Sequence, residues 1–211
     1  RFVDHILERL IRLKQDGSFW MDMSYFDYCH GLRMTSPKFH RLFGAPPRSS
    51  DSPPEQLHMD LAASIQAVTE EIVLRMARYA HQRSDGCENL CLAGGVALNC
   101  AANGRLLREG PFRNIWVQPA SGDAGGALGT ALFIWHQLLD EPRVARAGDS
   151  QKGSLLGPAF TDETIGAFLD QAGARYRRID DEPELCRTVA EQIAGGKVVG
   201  WAQGRMEYGP R

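Results

Sequence analysis

Two short apolar runs, each followed by paired glycines and then a helical pattern, constrain the fold more than any other feature. The first is LCLAGGVALNCAANGRLL at residues 90–107, and the second is WVQPASGDAGGALGTAL at residues 116–132. Glycine inside a helix costs about 1 kcal/mol relative to alanine. Because glycines stand at both helix starts despite this cost, we expect another group to come close to the backbone at both places.

The order of elements around these runs predicts a parallel α/β sheet. A long helix over residues 57–82 is followed by a strand at 88–95, a helix at 96–110, a strand at 114–118 and a helix at 124–139. The apolar stripe of the long helix consists of Leu57, Leu61, Ile65, Val68, Ile72 and Met76. Alternating helices and strands with short connections predict parallel strands covered by helices. Ligands of such sheets bind beyond the carboxyl ends of the strands, where both glycine clusters fall.

The first part of the chain is predicted to contain a helix, one or two strands and a loop. Residues 1–14 have apolar positions at helical spacing, and residues 16–28 predict one or two strands with a turn at Asp16 and Gly17. Residues 44–54 carry four prolines and predict a loop.

A second unit is predicted after a polar linker at residues 140–153. Residues 161–171 and 184–194 have amphipathic helical patterns, and Thr161 supplies half of a capping box. We expect residues 197–204 to form a strand that runs into a glycine turn. Residues 124–139 should bury Ala127, Leu128, Ala131, Leu132 and Trp135.

Composition excludes several classes of function. The 211 residues suffice for one large domain, or for one domain and part of another. A formal net charge of -2, with no basic patch, argues against nucleic acid as a partner. No apolar run reaches the roughly 20 residues that a membrane span needs.

Cysteine usage predicts a cytoplasmic protein. The five cysteines form an odd set without CxxC spacing, and we expect them to be reduced thiols in the core. They are Cys29, Cys87, Cys91, Cys100 and Cys186. Because the chain begins with Arg1 and stops in the middle of a motif at Arg211, we also expect it to be an internal fragment.

Asp123 is the strongest candidate for chemistry. One interpretation is a helix N-cap, in which the carboxylate accepts backbone N–H bonds. The other is a divalent-metal ligand that faces a phosphate, since hard cations prefer carboxylate oxygens. The neighbouring Gly125, Gly126 and Gly129 favour an anion or nucleotide at the helix N-terminus, although tight helix packing would explain one or two of these glycines.

The first glycine pair repeats this pattern. Gly94 and Gly95 would direct backbone N–H groups at a phosphate or adenosine. Asn99 and Asn103 lie one turn apart on the following helix, so one of them would bind a sugar or a base. The alternative for both asparagines is a solvated helix face. Neither a P-loop nor a Rossmann fingerprint is present. At the other end, Arg205 and Arg211 indicate either an anion site or an exposed polar loop.

Three motifs in the same order closely resemble the O-carbamoyltransferase family of nodulation proteins and cephamycin-type antibiotic-tailoring enzymes. They are LCLAGGVALNCAANGRLL, WVQPASGDAGGALGTAL and VVGWAQGRMEYGPR. The resemblance implies an α/β fold: the second half of an actin-like ATPase (ribonuclease H-like) domain over residues 1–143, a linker over 144–153, and the start of a YrdC-like domain over 154–211.

The resemblance also implies a reaction. The C-terminal domain joins carbamoyl phosphate to ATP, which gives carbamoyl-adenylate and pyrophosphate. The N-terminal domain then transfers the carbamoyl group to a small-molecule hydroxyl, assisted by a divalent metal of the iron(II) type. This scheme makes Asp123 the metal ligand, and places Gly94, Gly95, Asn99, Gly122, Gly125 and Gly126 at the nucleotide. Arg205 and Arg211 would belong to the carbamoyl-phosphate domain.

The resemblance also implies that further metal ligands lie outside the chain. The family's histidine metal ligands belong to the absent first half of the actin-like domain, so we expect this chain alone to be inactive. Alternatives are a tRNA-modifying threonylcarbamoyl-type transferase, a sugar-kinase-like ATPase of the same fold, and a non-catalytic nucleotide-binding module. The stripe on residues 57–82 would serve a homodimer interface as well as a core.

Overall fold

The computed structural model describes residues 1–144 and 147–209 and has a mixed α/β architecture. It divides into two compact units, Arg1–Gln118 and Pro119–Arg211. No helix within the described residues has the length and apolarity to cross a bilayer.

The first unit opens on a short helix and a hairpin. Helix α1 (Val3–His5) continues as one π-helical turn (Ile6–Leu10). Strand β1 (Ile11–Leu13) then pairs antiparallel with β2 (Phe19–Met21). The predicted helix over residues 1–14 is therefore too long, because the backbone from Ile11 onward bonds to β2 instead of closing helical turns. The predicted turn at Asp16 and Gly17 is confirmed.

A lysine joins the segment after the hairpin to the next helix. A 3₁₀ turn (Met23–Tyr25) precedes helix α2 (Pro37–Phe43). The Lys38 ammonium donates to Asp22 Oδ2 at 3.1 Å and lies 4.0 Å from the centre of the Tyr25 ring. Hydrogen bonds from the Ser24 hydroxyl and backbone N–H, helped by Lys38, lower the pKa of Asp22 from 3.8 to about 2.

This carboxylate predicts a pH-dependent loss of stability. A lowered folded-state pKa means that ionised Asp22 stabilises the chain fully above about pH 4, and that this contribution is lost as the pH falls toward 2. We expect Asp22→Asn to be less stable than the wild type at pH 6, with the difference shrinking toward pH 2. Urea midpoints at pH 6, 4 and 2.5 measure it, and a difference independent of pH would contradict it.

The long predicted helix is confirmed. Helix α3 (Gln56–Gln82) starts at a capping box, in which the Glu55 side chain accepts from the backbone N–H of His58, and His58 Nδ1 accepts from the Glu55 N–H at 2.9 Å. One face of α3 packs on the first core cluster of buried residues, which is Phe2, Ile6, Leu10, Ile11, Tyr25, Phe43 and Val68.

A strand–helix–strand unit completes the first half. Strand β3 (Asn89–Leu92), helix α4 (Cys100–Glu109) and strand β4 (Asn114–Val117) follow in order, and the two strands are parallel, as predicted. One face of the strand pair packs on the second core cluster, whose buried members are Leu74, Ala77, Leu106 and Phe112. On the other face Cys91 lies opposite Trp116, whose surface is 52% exposed.

The cysteine prediction is wrong in one respect. All five thiols are free, but all five residues are exposed and none lies in a core. Cys91 and Cys100 illustrate the reason: each falls on the side of its strand or helix that faces away from the second core cluster. Apolar neighbours in the sequence did not reveal which face the thiol would take.

The second unit is mainly helical. Helix α5 (Asp123–Phe133) runs into a π-helical turn (Ile134–Leu138), and helices α6 (Asp162–Gln171) and α7 (Glu182–Ala194) follow a 3₁₀ turn at Lys152–Ser154. The half capping box at Thr161 is confirmed, since its hydroxyl accepts from the Thr164 N–H at 3.3 Å.

Two predictions for this unit are wrong. The apolar face predicted for residues 124–139 is not buried; Leu132 and Trp135 are about half exposed, because no described element packs on them within this unit. Residues 197–204 form no strand, and Val198 is fully exposed. A strand needs a partner for its backbone groups, and none of the described residues supplies one.

Candidate functional site

The loop after β3 has a backbone that only glycine adopts easily. Gly94 has φ +99° and ψ 159°, a conformation that costs an L side chain strain of order 1–3 kcal/mol. It leads into a 3₁₀ turn at Gly95–Leu98, and α4 begins only at Cys100. The helix predicted from residue 96 therefore starts four residues late, because the chain makes the tighter turn first.

Asn99 ends this loop and caps α4. Its Oδ1 accepts the Ala102 N–H at 3.0 Å, the N-cap hydrogen bond. The same amide pairs with Gln66 on α3 through two hydrogen bonds, of 3.1 and 2.9 Å. Asn99 is half-buried, so it is neither a fully solvated residue nor a core residue. Gln66 was not singled out from the sequence, because nothing local relates residues 33 positions apart.

The second candidate, Asp123, is not a helix N-cap. Gly122 is the N-cap of α5, Asp123 is the first helical residue and is exposed, and no described side chain caps the helix. The capping interpretation of Asp123 is thus wrong, since the chain enters the helix one residue earlier. An uncapped helix start leaves backbone N–H groups and a positive dipole end for an anion.

Ser121 adds an unsatisfied hydroxyl beside this helix start. It is 7% exposed, and its buried Oγ has no hydrogen-bond partner among the described residues. A buried hydroxyl without a partner is costly, so such a group commonly marks a place where a ligand or water completes the bonding. The sequence offered one signal for it, a small polar residue directly after an apolar strand and before Gly122.

Two glycines of α5 are explained by different physical requirements. A Cβ on Gly125 would collide with the carbonyl oxygen of Ala120, so tight packing requires this glycine. A Cβ on Gly126 would meet nothing within 4 Å. Packing therefore explains Gly125 as the sequence allowed, whereas Gly126 borders open space and fits the close-approach hypothesis.

The C-terminal segment lies against the same helix start. The Tyr208 hydroxyl donates to the Ala124 carbonyl, and a Cβ on Gly209 would come within 3.2 Å of the Pro119 carbonyl oxygen. Arg205 is exposed in the turn that precedes this contact. Arg211 lies outside the described residues. Tyr208 went unnoticed in the sequence because its contact spans 84 positions.

The described residues do not form a metal site. No group of three or more histidine, cysteine, aspartate or glutamate side chains among them could hold an ion. A single exposed carboxylate, Asp123, falls short of the two histidines and one carboxylate that hold iron(II) in open protein sites. The predicted iron(II) therefore has no ligand set here, and we assign it no chemical step.

This geometry predicts weak metal binding by the 211-residue chain. Titration with iron(II) or manganese(II) should give no stoichiometric site of sub-micromolar affinity, and Asp123→Asn should bind indistinguishably from the wild type. Isothermal titration calorimetry under anaerobic conditions measures both. A tight one-to-one site that disappears in the Asp123 variant would contradict the prediction.

The comparisons with known proteins agree on one family. Residues 2–132, more than half of the chain, match the family described as Carbamoyltransferase N-terminus. An uncharacterized protein of Synechocystis is 56% identical over the whole chain, which covers 34% of that relative. The nodulation protein NolNO of Sinorhizobium fredii is 42% identical over 78% of the chain and 23% of its own length.

A relative named as an O-carbamoyltransferase is also similar to the chain. The 3'-hydroxymethylcephem-O-carbamoyltransferase of Amycolatopsis lactamdurans is 31% identical over 68% of the chain and 25% of its own length. The chain thus spans between about a quarter and a third of the length of these relatives. Both glycine motifs lie within the matched residues, and by this match the chain belongs to the carbamoyltransferase N-terminus family.

Proposed function

We propose that this chain is part of an ATP-dependent O-carbamoyltransferase, which transfers the carbamoyl group of carbamoyl phosphate to a hydroxyl of a small molecule through carbamoyl-adenylate. The family match over residues 2–132 carries the proposal. Two relatives are named 3'-hydroxymethylcephem-O-carbamoyltransferase, which supports transfer to an alcohol oxygen. We propose a cytoplasmic protein whose acceptor is a sugar, an oligosaccharide or an antibiotic.

The start of α5 supports a phosphoryl ligand. Its uncapped N–H groups and the unpartnered Ser121 hydroxyl are donors suited to phosphate oxygens. The open space at Gly126 allows the ligand to approach the backbone closely. These donors are fixed before the reaction, so they would stabilise charge that develops on AMP, the leaving group, without reorganising.

We propose the same role for the loop after β3. The unusual backbone at Gly94 turns the chain away from the strand, and a Cβ on Gly95 would meet no atom within 4 Å. This leaves room for the ribose or phosphate of the adenylate. We keep the actin-like assignment of residues 1–143 and the YrdC-like assignment of residues 154–211 as parts of this proposal, with Arg205 and Arg211 as carbamoyl-phosphate ligands.

The first experiment uses the full-length protein. Labelled pyrophosphate should exchange into ATP only when carbamoyl phosphate is present, because adenylate formation is reversible. Exchange that requires carbamoyl phosphate would support adenylate chemistry. Absence of exchange in folded, metal-supplemented protein would overturn it and favour the kinase-like or binding-module alternatives.

A further inference from the structure

Four polar side chains form a continuous hydrogen-bonded path from α4 back to the loop after β3. Arg105 donates to Glu70 Oε2 at 3.3 Å, and Gln66 Nε2 donates to Glu70 Oε1 at 2.9 Å. Gln66 in turn pairs with Asn99. The Glu70 and Arg105 side chains are only 19% and 30% exposed, so water competes little for these bonds.

The chemistry at the two ends fixes the orientation of both amides. An ionised Glu70 only accepts hydrogen bonds, so the group of Gln66 that faces it must be the NH₂. The backbone N–H of Ala102 only donates, so the group of Asn99 that caps α4 must be the oxygen. The reciprocal pair between Gln66 and Asn99 satisfies both requirements at once, because each amide donates to the other's oxygen.

Arg105, at the end of the path opposite Asn99, carries a positive charge. Bonds to Glu109 first, and to Glu70 second, raise the pKa of the Arg105 guanidinium above its ordinary value. Arg105 therefore stays charged, and Glu70 keeps an ionised partner. The hydrogen-bonded path thus begins at the charged Arg105 guanidinium on α4, crosses α3 and ends at the N-cap of α4.

One amide proton of Asn99 remains for a ligand. Its Nδ2 donates one proton to Gln66, and among residues 1–144 and 147–209 its second proton has no acceptor. The oxygen is occupied by Ala102 and Gln66. Asn99 can consequently present a donor, and only a donor, to a group bound at the loop of residues 94–99.

We propose that Gln66 is a positioning residue for nucleotide binding: it holds the Asn99 amide so that the free Nδ2 proton points to an oxygen acceptor of the bound adenylate. This inference rests on the proposed carbamoyl-adenylate chemistry. Without Gln66 the amide is free to rotate, and α4 loses the support of its cap as well.

The test combines Gln66→Leu with a matched control in the full-length protein. Leucine removes every side-chain hydrogen bond of Gln66 and has a similar helix propensity. The control is Gln56→Leu, since Gln56 is exposed on the same helix and donates to Asp60 four residues on, as Gln66 does to Glu70. The probe is 5′-O-sulfamoyladenosine, a stable analogue of AMP in which a sulfamoyl group replaces the phosphate of the adenylate.

Gln66→Leu should bind this probe about tenfold more weakly by calorimetry, since one to two net hydrogen bonds are lost. Gln56→Leu should bind within twofold of the wild type. Pyrophosphate exchange should persist in both variants because it belongs to the other domain. Wild-type affinity in a folded Gln66→Leu variant would overturn the positioning role. A wild type lacking both exchange and probe binding would overturn the proposed function, and this inference with it.

A second variant distinguishes orientation of the Asn99 amide from mere support of the α4 N-cap. Gln66→Glu keeps size and polarity, but its carboxylate cannot donate to Asn99 or to Glu70. Glu70 and Arg105 are the charged groups that face this position. We expect Gln66→Glu to bind the probe about as weakly as Gln66→Leu, because its ionised carboxylate cannot donate to the Asn99 oxygen. Wild-type affinity of a folded Gln66→Glu variant would contradict the orientation argument.

Discussion

Replacing Gly125 by alanine should destabilise the chain, whereas the same change at the adjacent Gly126 should not. The new methyl at residue 125 collides with the Ala120 carbonyl oxygen, so the loop or the helix must move, which typically costs about 1–3 kcal/mol. At Gly126 the methyl meets no atom within 4 Å. There alanine should gain up to about 1 kcal/mol through its higher helix propensity.

Chemical denaturation of the two variants measures this contrast, with each variant serving as the control for the other. Equal midpoints for both would contradict the packing reason given for Gly125. The Gly126→Ala variant has a second use in the full-length protein. Since it should fold well, any loss of adenylate-analogue binding would report directly on ligand approach to the backbone at that residue.

Leu106→Ala should cause a large loss of stability in the first unit. Leu106 is 1% exposed and belongs to the second core cluster between α3, α4 and the parallel strands. Removing a buried leucine side chain leaves a cavity and costs about 2–5 kcal/mol. For a protein of this size, a loss of that order lowers the melting temperature by roughly 5–20 °C.

The neighbouring Leu107 is the matched control. It is 56% exposed on the same helix, so Leu107→Ala should change the free energy of unfolding by about 0.5 kcal/mol or less. Thermal melts followed by circular dichroism distinguish the two variants. A Leu107 effect as large as that of Leu106 would mean that the exposed face of α4 is covered in solution.

The sequence predicted elements whose signals are local. The stripe from Leu57 to Met76 predicted α3 almost to the residue, because a helical period sustained over that length has no competing explanation. The Thr161 cap and the parallel order of β3 and β4 followed from equally local rules. Residues 197–204 failed because a strand forms only with a partner, which no local pattern can supply.

The candidate site shows the same division. The sequence located both glycine-rich turns, and the positive φ of Gly94 agrees with the need for glycine there. It did not separate Gly125, required by packing on Ala120, from Gly126, which faces open space. Gln66 and Tyr208 were missed because their contacts join residues far apart in the chain, and a single sequence contains no record of such pairs.

The strand pairings carry a consequence for how the chain folds during synthesis. β1 pairs with β2 across ten residues, at Ile11 and Met21, and β3 pairs with β4 across 25, at Asn89 and Asn114. Both are near neighbours, so loop closure costs little entropy and pairing is fast. We expect β3, α4 and β4 to assemble on α3 soon after Val117 leaves the ribosome, as a nucleus on which later segments condense.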